Sequence, residues 1–377
     1  MHRPIHFETI TVHAGHELDP ATGAIAPPIY LSTTFEREPD LSYRAGFIYS
    51  RYANPTRRSL ERCLATLEGG GAAACFSSGS AATAAVLQSL PPESHVILPD
   101  DAYYGTLKLA RDVLSASRLR LSRVDMTDIA QVEQAITKDT RVVWVESPSN
   151  PLVRVVDIER IAQLARNAGA WVVVDNTWAT PLLQQPFRLG ADLIMHSTTK
   201  YLGGHSDILG GALVGPNEQH PLFAKCRAVQ GYGGAVPSPF DCWLTLRGVQ
   251  TLAVRVRVQT ENAQRIATFL AAHNEVEMVH YPGLRSHPGF EIAQRQMSAP
   301  GAMLSLQVRG GRDAAIGMTN RLKLITRATS LGGTETLIEH RHSVEGAETR
   351  APENLLRMSV GLEHVDDLIA DLEEALQ

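Results

Sequence analysis

AWVVVDN, residues 170–176, decides the fold class, because similar runs stand at 95–100 (HVILPD), 141–147 (RVVWVES) and 191–197 (ADLIMHS). Each is a short, nearly continuous apolar run, which is typical of strands buried on both faces of a parallel sheet. Between RVVWVES and AWVVVDN lies DIERIAQLARNAG (157–169), with an acidic start, apolar residues at helical spacing and a glycine stop. This order of elements predicts an α/β fold with a mostly parallel central sheet flanked by helices.

The pattern of the chain divides it into an arm and two domains. Residues 1–50 are rich in proline, glycine and aromatics without a sustained helical period, so we predict an extended arm. Residues 51–235 form the predicted α/β domain, and residues 236–377 a smaller C-terminal α+β domain. We expect the smaller domain to begin with a long helix or broken helix pair (241–273) and to end with the amphipathic helix VDDLIADLEEAL (365–376).

Composition favours a small-molecule ligand. The 377 residues are 44% hydrophobic and 20% charged, as in globular proteins, and the net charge of −5 provides no broad basic field. We therefore expect neither nucleic acid nor a membrane as a partner. No apolar h-region opens the sequence and no apolar run approaches the roughly 20 residues of a membrane span, so we expect a cytoplasmic protein. The four cysteines form no CxxC pair and no HExxH occurs, so we expect buried reduced thiols and no metal site.

Polar residues follow the predicted strands at the point where each strand ends. In open α/β sheets ligands bind beyond the carboxyl ends of the strands. A single polar residue there is more often a helix cap or a solvated strand end, but several at neighbouring strands favour a site. The residues concerned are Glu146, Ser147, Asn150, Asp175, His196, Ser197, Thr199 and Lys200.

Two glycine-containing segments are candidate phosphate sites. CFSSGSAATAAVLQSL (75–90) reads as a strand leading into an alanine-rich helix, whose first N–H groups can bind an anion beside Gly79 and Ser80. A plain N-cap is the alternative there. GGGAAA (69–74) matches the GxGxxG/A dinucleotide pattern, but a helix-like segment precedes it and the strand-like residues follow it. An NAD-dependent oxidoreductase is therefore a weak alternative, and no P-loop motif is present.

Several motifs together resemble one enzyme family. YSRYANPTRRSLE (49–61), DDAYYGT (100–106), ESPSNP (146–151), STTKYLGGHSD (197–207) and TSLGGTETLIEH (329–340) stand in the order found in the Cys/Met-metabolism, or trans-sulfuration, branch of fold-type I pyridoxal 5′-phosphate (PLP) enzymes. The similarity runs from about Phe7 to the C-terminus. The branch includes cystathionine γ-synthase, cystathionine γ- and β-lyases, methionine γ-lyase and the homoserine-ester sulfhydrylases.

The resemblance implies a role for each matching residue. Lys200 would hold PLP as a Schiff base, and Asp175 would face the pyridine nitrogen and keep the ring an effective electron sink. The cofactor phosphate would be bound by Gly79, Ser80, Ser197 and Thr199 of one subunit and by Tyr49 and Arg51 of its neighbour. A homo-oligomer would then be needed, and the family implies a homotetramer built as a dimer of dimers.

Further matches imply how an amino-acid substrate is held. Tyr103 would stack on the cofactor ring and protonate the leaving group. Asn150, Ser330 and Arg357 would surround the ring hydroxyl and the substrate α-carboxylate, which suits the bidentate fork of an arginine. Tyr49 would also contact the substrate. The implied activity is γ-replacement or γ-elimination on a sulfur amino acid, of the cystathionine γ-synthase or γ-lyase type.

Three departures from the family pattern bear on the substrate. Thr329 stands where γ-synthases and γ-lyases carry a glutamate for the distal amine of cystathionine, and Gly105 stands where methionine γ-lyases carry a cysteine. HRHSVEGAETR (340–350) replaces the usual HPASMTH-like stretch. Cystathionine β-lyase, methionine γ-lyase and sulfhydrylase activities stay open, as does a PLP-binding protein without lyase activity. A PLP-binding protein without activity is disfavoured because the residues expected to carry the chemistry are intact: Lys200, Asp175, Tyr103 and Arg357.

Overall fold

A seven-stranded sheet forms the centre of the computed structural model, which describes residues 5–114, 118–346 and 349–377. The strand order is β1-β7-β6-β5-β4-β2-β3; six strands run in one direction and β7 alone runs in the other. The mostly parallel sheet predicted from the sequence is confirmed. The strands are β1 (Ala72–Phe76), β2 (His95–Pro99), β3 (Arg120–Val124), β4 (Thr140–Glu146), β5 (Trp171–Asp175), β6 (Leu193–His196) and β7 (Gly211–Gly215).

Helices cover both faces of this sheet, which explains why its central strands are apolar throughout. Helix α6 shows how the sequence forms such a helix. The Asp157 side chain accepts a hydrogen bond from the Arg160 N–H at the helix start, and the inner face of the helix buries Ile158, Ile161 and Ala165. The helices are α2 (Pro55–Glu68), α3 (Gly79–Gln88), α4 (Tyr104–Lys108), α5 (Ile129–Ala135), α6 (Ile158–Asn167), α7 (Thr180–Leu183) and α8 (Pro221–Gly233), with a π-helical turn at Leu109–Val113 and a 3₁₀ turn at Pro186–Leu189.

A second, smaller sheet lies in the C-terminal part of the chain. Its strand order is β10-β11-β12-β9-β8, and all of its pairs are antiparallel except β10 with β11. Its strands are β8 (Val276–His280), β9 (Met303–Val308), β10 (Thr326–Arg327), β11 (Leu337–His340) and β12 (Leu355–Ser359). The helices around it are α9 (Pro239–Val249), α10 (Leu252–Ala272), α11 (Phe290–Gln296), α12 (Gly311–Arg321), α13 (Arg341–Glu345) and α14 (Val365–Leu376). The broken helix pair predicted for 241–273 corresponds to α9 and α10.

The N-terminal arm differs from its prediction at one end. Residues Phe7–His13 form helix α1, so the prediction of an extended arm is wrong there. Phe7 and Ile10 pack against the apolar core and Thr11 is buried, which means that tertiary packing overrides the weak helix propensity of this β-branched segment. Residues 14–50, all of them described, contain no helix and only the isolated bridge between Thr34 and Tyr49.

Two further sequence expectations concern thiols and membranes. The four cysteines are unpaired and buried, as predicted, and burial raises the pKa of Cys63 to about 12. In the part of the chain that the structure describes, no helix combines the length and the apolar character that crossing a membrane requires.

Gly211 makes the junction of β1 and α3 possible, and this leads to a stability prediction. A Cβ on Gly211 would lie 2.2 Å from the Ser78 carbonyl oxygen, whereas a Cβ on Gly317 in α12 would meet only the flexible end of Arg321 at 3.5 Å. Gly211→Ala should lower the free energy of unfolding by about 1–3 kcal/mol or more, because backbone atoms must move apart. The control Gly317→Ala should leave stability unchanged or raise it by about 0.5–1 kcal/mol. Denaturant midpoints measure both, and equal midpoints for the two variants would contradict the close contact.

Candidate active site

A cavity of about 210 Å³ lies at the carboxyl edge of the large sheet. Its walls come from the segments that follow β1, β2, β4, β5 and β6, together with the loop before β11 and strand β12. The structure therefore brings together residues that are more than 250 positions apart in the sequence. The predicted site residues that line the cavity are Gly79, Ser80, Tyr103, Asn150, Asp175, Ser197, Thr199, Lys200, Ser330 and Arg357.

Two predicted site residues, Tyr49 at the end of the arm and Arg51 directly after it, are absent from the cavity lining. Tyr49 is 40% exposed, and the guanidinium of Arg51 lies 4.4 Å from the ring centre of Tyr52. Arg51 Nη1 also donates a hydrogen bond of 2.6 Å to the Gly231 carbonyl oxygen. Within one chain, Tyr49 and Arg51 do not complete the site.

Lys200 carries an amine that can act as a nucleophile near neutral pH. Its Nζ donates to the Ser330 hydroxyl at 2.8 Å. Burial, followed by the positive charge of Arg357, lowers the pKa of Lys200 to about 8. Ser330 has a left-handed backbone with φ of 83°, which a non-glycine residue adopts only when the surroundings enforce it.

Two carboxyl groups lie side by side at the ends of β4 and β5, because Glu146 and Asp175 are paired in register. Asp175 faces the cavity and accepts a hydrogen bond of 3.0 Å from the Thr177 N–H. Burial raises the pKa of both carboxyls, and for Glu146 the charge of Asp175 adds to this effect. A cationic group placed in the cavity would be stabilised by Asp175.

The first turn of α3 forms a cradle for an anion. The N–H groups of Gly79 and Ser80 belong to that turn, which has no intrahelical acceptors, and Ser78 caps the helix by accepting from Ala81 N at 3.1 Å. A Cβ on Gly79 would lie 3.0 Å from the Ser197 Cβ and would fill the space between them. The Thr199 hydroxyl lines the same cavity but donates to the Gly210 carbonyl oxygen.

Arg357 lines the cavity with a guanidinium group whose hydrogen-bonding capacity is only partly used. Its Nη1 donates to Asn150 Oδ1 at 3.2 Å and its Nη2 to the Ser330 carbonyl oxygen at 3.0 Å. Its buried Nε has no hydrogen-bond partner among the residues that the structure describes. Burial, followed by the charge of Arg341, lowers the pKa of Arg357 to about 10, so the group stays cationic at neutral pH. An unsatisfied buried donor on a cation is suited to a carboxylate ligand.

Two residues of the site received no role from sequence reasoning. Glu146 Oε2 accepts from the Tyr103 N–H at 2.9 Å and its Oε1 from the Asn150 N–H at 3.0 Å, so one carboxyl group holds two cavity loops. Its position at the end of a predicted strand was the sequence feature that could have indicated a role for Glu146. Arg341 also lines the cavity, and its position inside the atypical stretch 340–350 was the signal there.

The donor set fits PLP. An amine, a carboxyl group, an anion cradle and a free guanidinium donor are the groups that would meet its aldehyde, ring nitrogen, phosphate and amino-acid substrate. Among the described residues, no cluster of His, Cys, Asp or Glu side chains could hold a metal ion.

Comparisons with known proteins agree with this chemistry. The family model for Cys/Met metabolism PLP-dependent enzymes matches residues 8–377. Cystathionine γ-synthase of Mycobacterium tuberculosis is 48% identical over 374 residues, which cover 98% of this chain and 96% of the relative. Cystathionine γ-lyase of Dictyostelium discoideum is 43% identical over 376 residues, with 98% and 97% covered.

A solved structure extends the similarity to three dimensions. Cystathionine γ-synthase from Xanthomonas oryzae pv. oryzae, in complex with aminoacrylate and cysteine, superposes with a TM-score of 0.95 at 39% identity. The match covers 99% of this chain and 98% of that one.

The lowered pKa of Lys200 leads to a labelling prediction on protein freed of small molecules. Only the neutral amine attacks an aldehyde, and a pKa near 8 makes the neutral form abundant far below the ordinary lysine value of 10.5. Reductive methylation with formaldehyde and borohydride should label Lys200 at a rate that reaches half its maximum at about pH 8. Peptide mass spectrometry measures the rate, and Lys200→Arg identifies the peptide. A midpoint near 10.5 would contradict the environment described.

Proposed function

Because this chain belongs to the family of Cys/Met metabolism PLP-dependent enzymes, we propose that it catalyses γ-replacement, joining a thiol to a γ-activated homoserine. The broader type is already established: the chain is a PLP-dependent trans-sulfuration enzyme of the cystathionine γ-synthase and γ-lyase type. In γ-replacement the γ-carbon–oxygen bond of a homoserine ester breaks and a γ-carbon–sulfur bond forms. The thiol proton leaves with the acid of the ester.

One observation carries the proposal for the site: the Lys200 amine, with its lowered pKa, lies 2.8 Å from Ser330 in a cavity that Arg357 also lines. PLP, when bound, supplies an electron-withdrawing ring that stabilises negative charge at the substrate α-carbon. Lys200 is the residue that would hold this group. Its Nζ is also the base for the α-proton, because a lowered pKa brings proton transfer into the working pH range.

The remaining residues bind the substrate, orient one another and protonate the leaving group. Arg357 binds the α-carboxylate with its guanidinium group, and Asn150, which accepts from Arg357 Nη1, keeps that group in place. Tyr103 is held through its backbone by Glu146, and its hydroxyl donates a proton to the group that leaves the γ-carbon. Partial burial raises the pKa of Tyr103, so the hydroxyl carries that proton at neutral pH. Asp175 provides the negative charge that favours a protonated ring nitrogen.

A second candidate is favoured by Thr329, which lines the cavity as a neutral residue. The glutamate that resembling γ-synthases carry at this place meets the amine of the amino-acid thiol. A threonine removes that negative charge and with it the preference for a thiol that carries an amine. A thiol without an amine, as used by a homoserine-ester sulfhydrylase, would then be accepted more readily.

The reaction is tested by supplying O-succinyl- or O-acetylhomoserine with cysteine, sulfide or methanethiol, and in parallel cystathionine or methionine alone. We expect a thioether from the ester and cysteine, and no product from Lys200→Ala, which lacks the base. Chromatography scores the thioether and a 2-oxo acid assay scores elimination. Preference for sulfide or methanethiol over cysteine would favour the second candidate. Release of 2-oxo acid as the main product would refute γ-replacement.

We further propose that each site is shared between subunits of a homo-oligomer, which the family likeness suggests is a homotetramer. Neither Tyr49 nor Arg51 lines the cavity of its own chain, which supports a role in a neighbouring one. The arm also exposes large apolar side chains, with Ile25 81% and Leu31 75% exposed. Apolar surface of this kind is typical of protein interfaces. A second copy of this chain is the occupant that we propose.

Subunit mixing tests the shared site. Arg51→Ala and Lys200→Ala homo-oligomers should each be inactive, because every site lacks one residue. A hybrid contains one site that has both residues, so activity should reappear after subunit exchange. Activity assays on exchanged mixtures, with native mass spectrometry to verify mixing, measure this. Hybrids that stay inactive although both subunits are folded, or a fully active monomer, would refute the proposal.

A further inference from the structure

Four charged side chains run in a chain from the cavity wall into helix α13: two buried arginines and two partly buried glutamates. Arg357 and Glu339 lie opposite each other on the paired strands β12 and β11, and Arg341 follows at the start of α13. Arg341 is 2% exposed and lines the cavity together with Arg357. Glu345, one turn further on, ends the chain of charges.

One oxygen of Glu339 serves two arginines. Glu339 Oε2 accepts from Arg357 Nη2 at 2.9 Å and from Arg341 Nη1 at 2.5 Å. Arg341 also donates to Glu345 Oε1, from Nη2 at 2.5 Å and from Nε at 3.1 Å. The Thr349 hydroxyl donates to the other oxygen of Glu345. Both glutamates are thereby engaged, and Arg341 stands between them.

The shared oxygen decides how much positive charge Arg357 offers to a ligand. A carboxylate buried beside an arginine competes with any carboxylate that binds the same guanidinium, because little water is present to screen either of them. A second arginine on the partly buried carboxylate of Glu339 weakens this competition, because it interacts with the same negative charge. Burial disfavours the charged form of Arg341, but Glu345 and Glu339 outweigh this and raise its pKa. Arg341 therefore stays cationic.

We propose that Arg341 is a positioning residue: by sharing Glu339 it keeps Arg357 available to the α-carboxylate of the substrate. The proposal rests on the function given above, in which Arg357 is the carboxylate ligand. It assigns a role to a residue of the atypical stretch 340–350 that touches neither the reacting carbon nor the leaving group.

The proposal predicts different effects for a substitution of Arg341 and for a substitution of its partner Glu345. In Arg341→Met, Glu339 has Arg357 as its sole arginine partner and competes fully with the ligand. In Glu345→Gln, Arg341 loses its other carboxylate and turns more strongly to Glu339, so Arg357 becomes no less available. If Arg341 merely anchored α13, both substitutions would weaken ligand binding, since both break the ion pair between Arg341 and Glu345.

The experiment uses the holoenzyme and 4-(methylthio)butanoate, a carboxylate that has no amine and cannot react. Calorimetry should show that Arg341→Met weakens its binding by about tenfold or more, the effect expected for one compromised charged contact. Adding Glu339→Gln to Arg341→Met should restore the affinity to within about twofold of the parent enzyme, because the competitor is gone. Glu345→Gln alone should not weaken binding. With a reacting substrate, KM should rise in Arg341→Met while kcat changes little.

Every outcome of this experiment either supports or overturns the proposal. No weakening in Arg341→Met overturns the proposal, and so does weakening that Glu339→Gln fails to restore, which would indicate direct contact with the ligand or a structural role. If Arg341→Met does not fold, Glu345→Gln still tests the idea, because weaker binding there contradicts it. Arg357→Lys serves as the reference variant. Unchanged binding in Arg357→Lys would refute the proposed role of Arg357, whereas weakening there without any effect of Arg341→Met refutes this inference alone.

Discussion

The common direction of six of the seven strands is the constraint on which the site depends. A parallel arrangement requires a crossover after each strand, so every carboxyl end lies at the same edge and every loop that leaves it starts there. The anion cradle after β1, the carboxyl groups that end β4 and β5 and the lysine after β6 become neighbours for this reason. The reversed strand β7 pairs with β1 on one side and with β6 on the other, and its first residue, Gly211, lies close to the Ser78 carbonyl oxygen.

The burial of charged side chains is the second organising feature. Each such side chain either pairs with an opposite charge or has a shifted pKa. Glu68 and His196 are both buried and form a hydrogen bond of 2.5 Å with each other. Lys200 donates to a neutral hydroxyl, that of Ser330, so burial lowers the pKa of the lysine and makes the amine reactive. Arg357 is paired on one side and leaves Nε unsatisfied on the other. Unsatisfied or unpaired groups of this kind mark places where a ligand completes the structure.

Much of the site could be predicted because its residues lie in short motifs at strand ends. Lys200, Asp175 and Gly79 each follow an apolar run that identifies the preceding strand, and the structure brings all three to one cavity. Helix α1 could not be predicted, since its seven residues have little intrinsic preference for a helix and gain stability from packing on the core. The role of Glu146 as the acceptor for two loops depends on backbone N–H groups, which no side-chain pattern reveals.

The sequence by itself determined the fold class and the family and indicated the residues that we propose hold the cofactor, because periodicity and local motifs record what each segment buries and what it exposes. Only the tertiary structure decided which charges share a wall of the cavity. Asn150, Glu339, Arg341 and Arg357 come from distant segments and meet through the pairing of β11 with β12 and the contact of that sheet with the loop after β4. Their effects on one another depend on distance and burial, and those quantities exist only once the chain has folded.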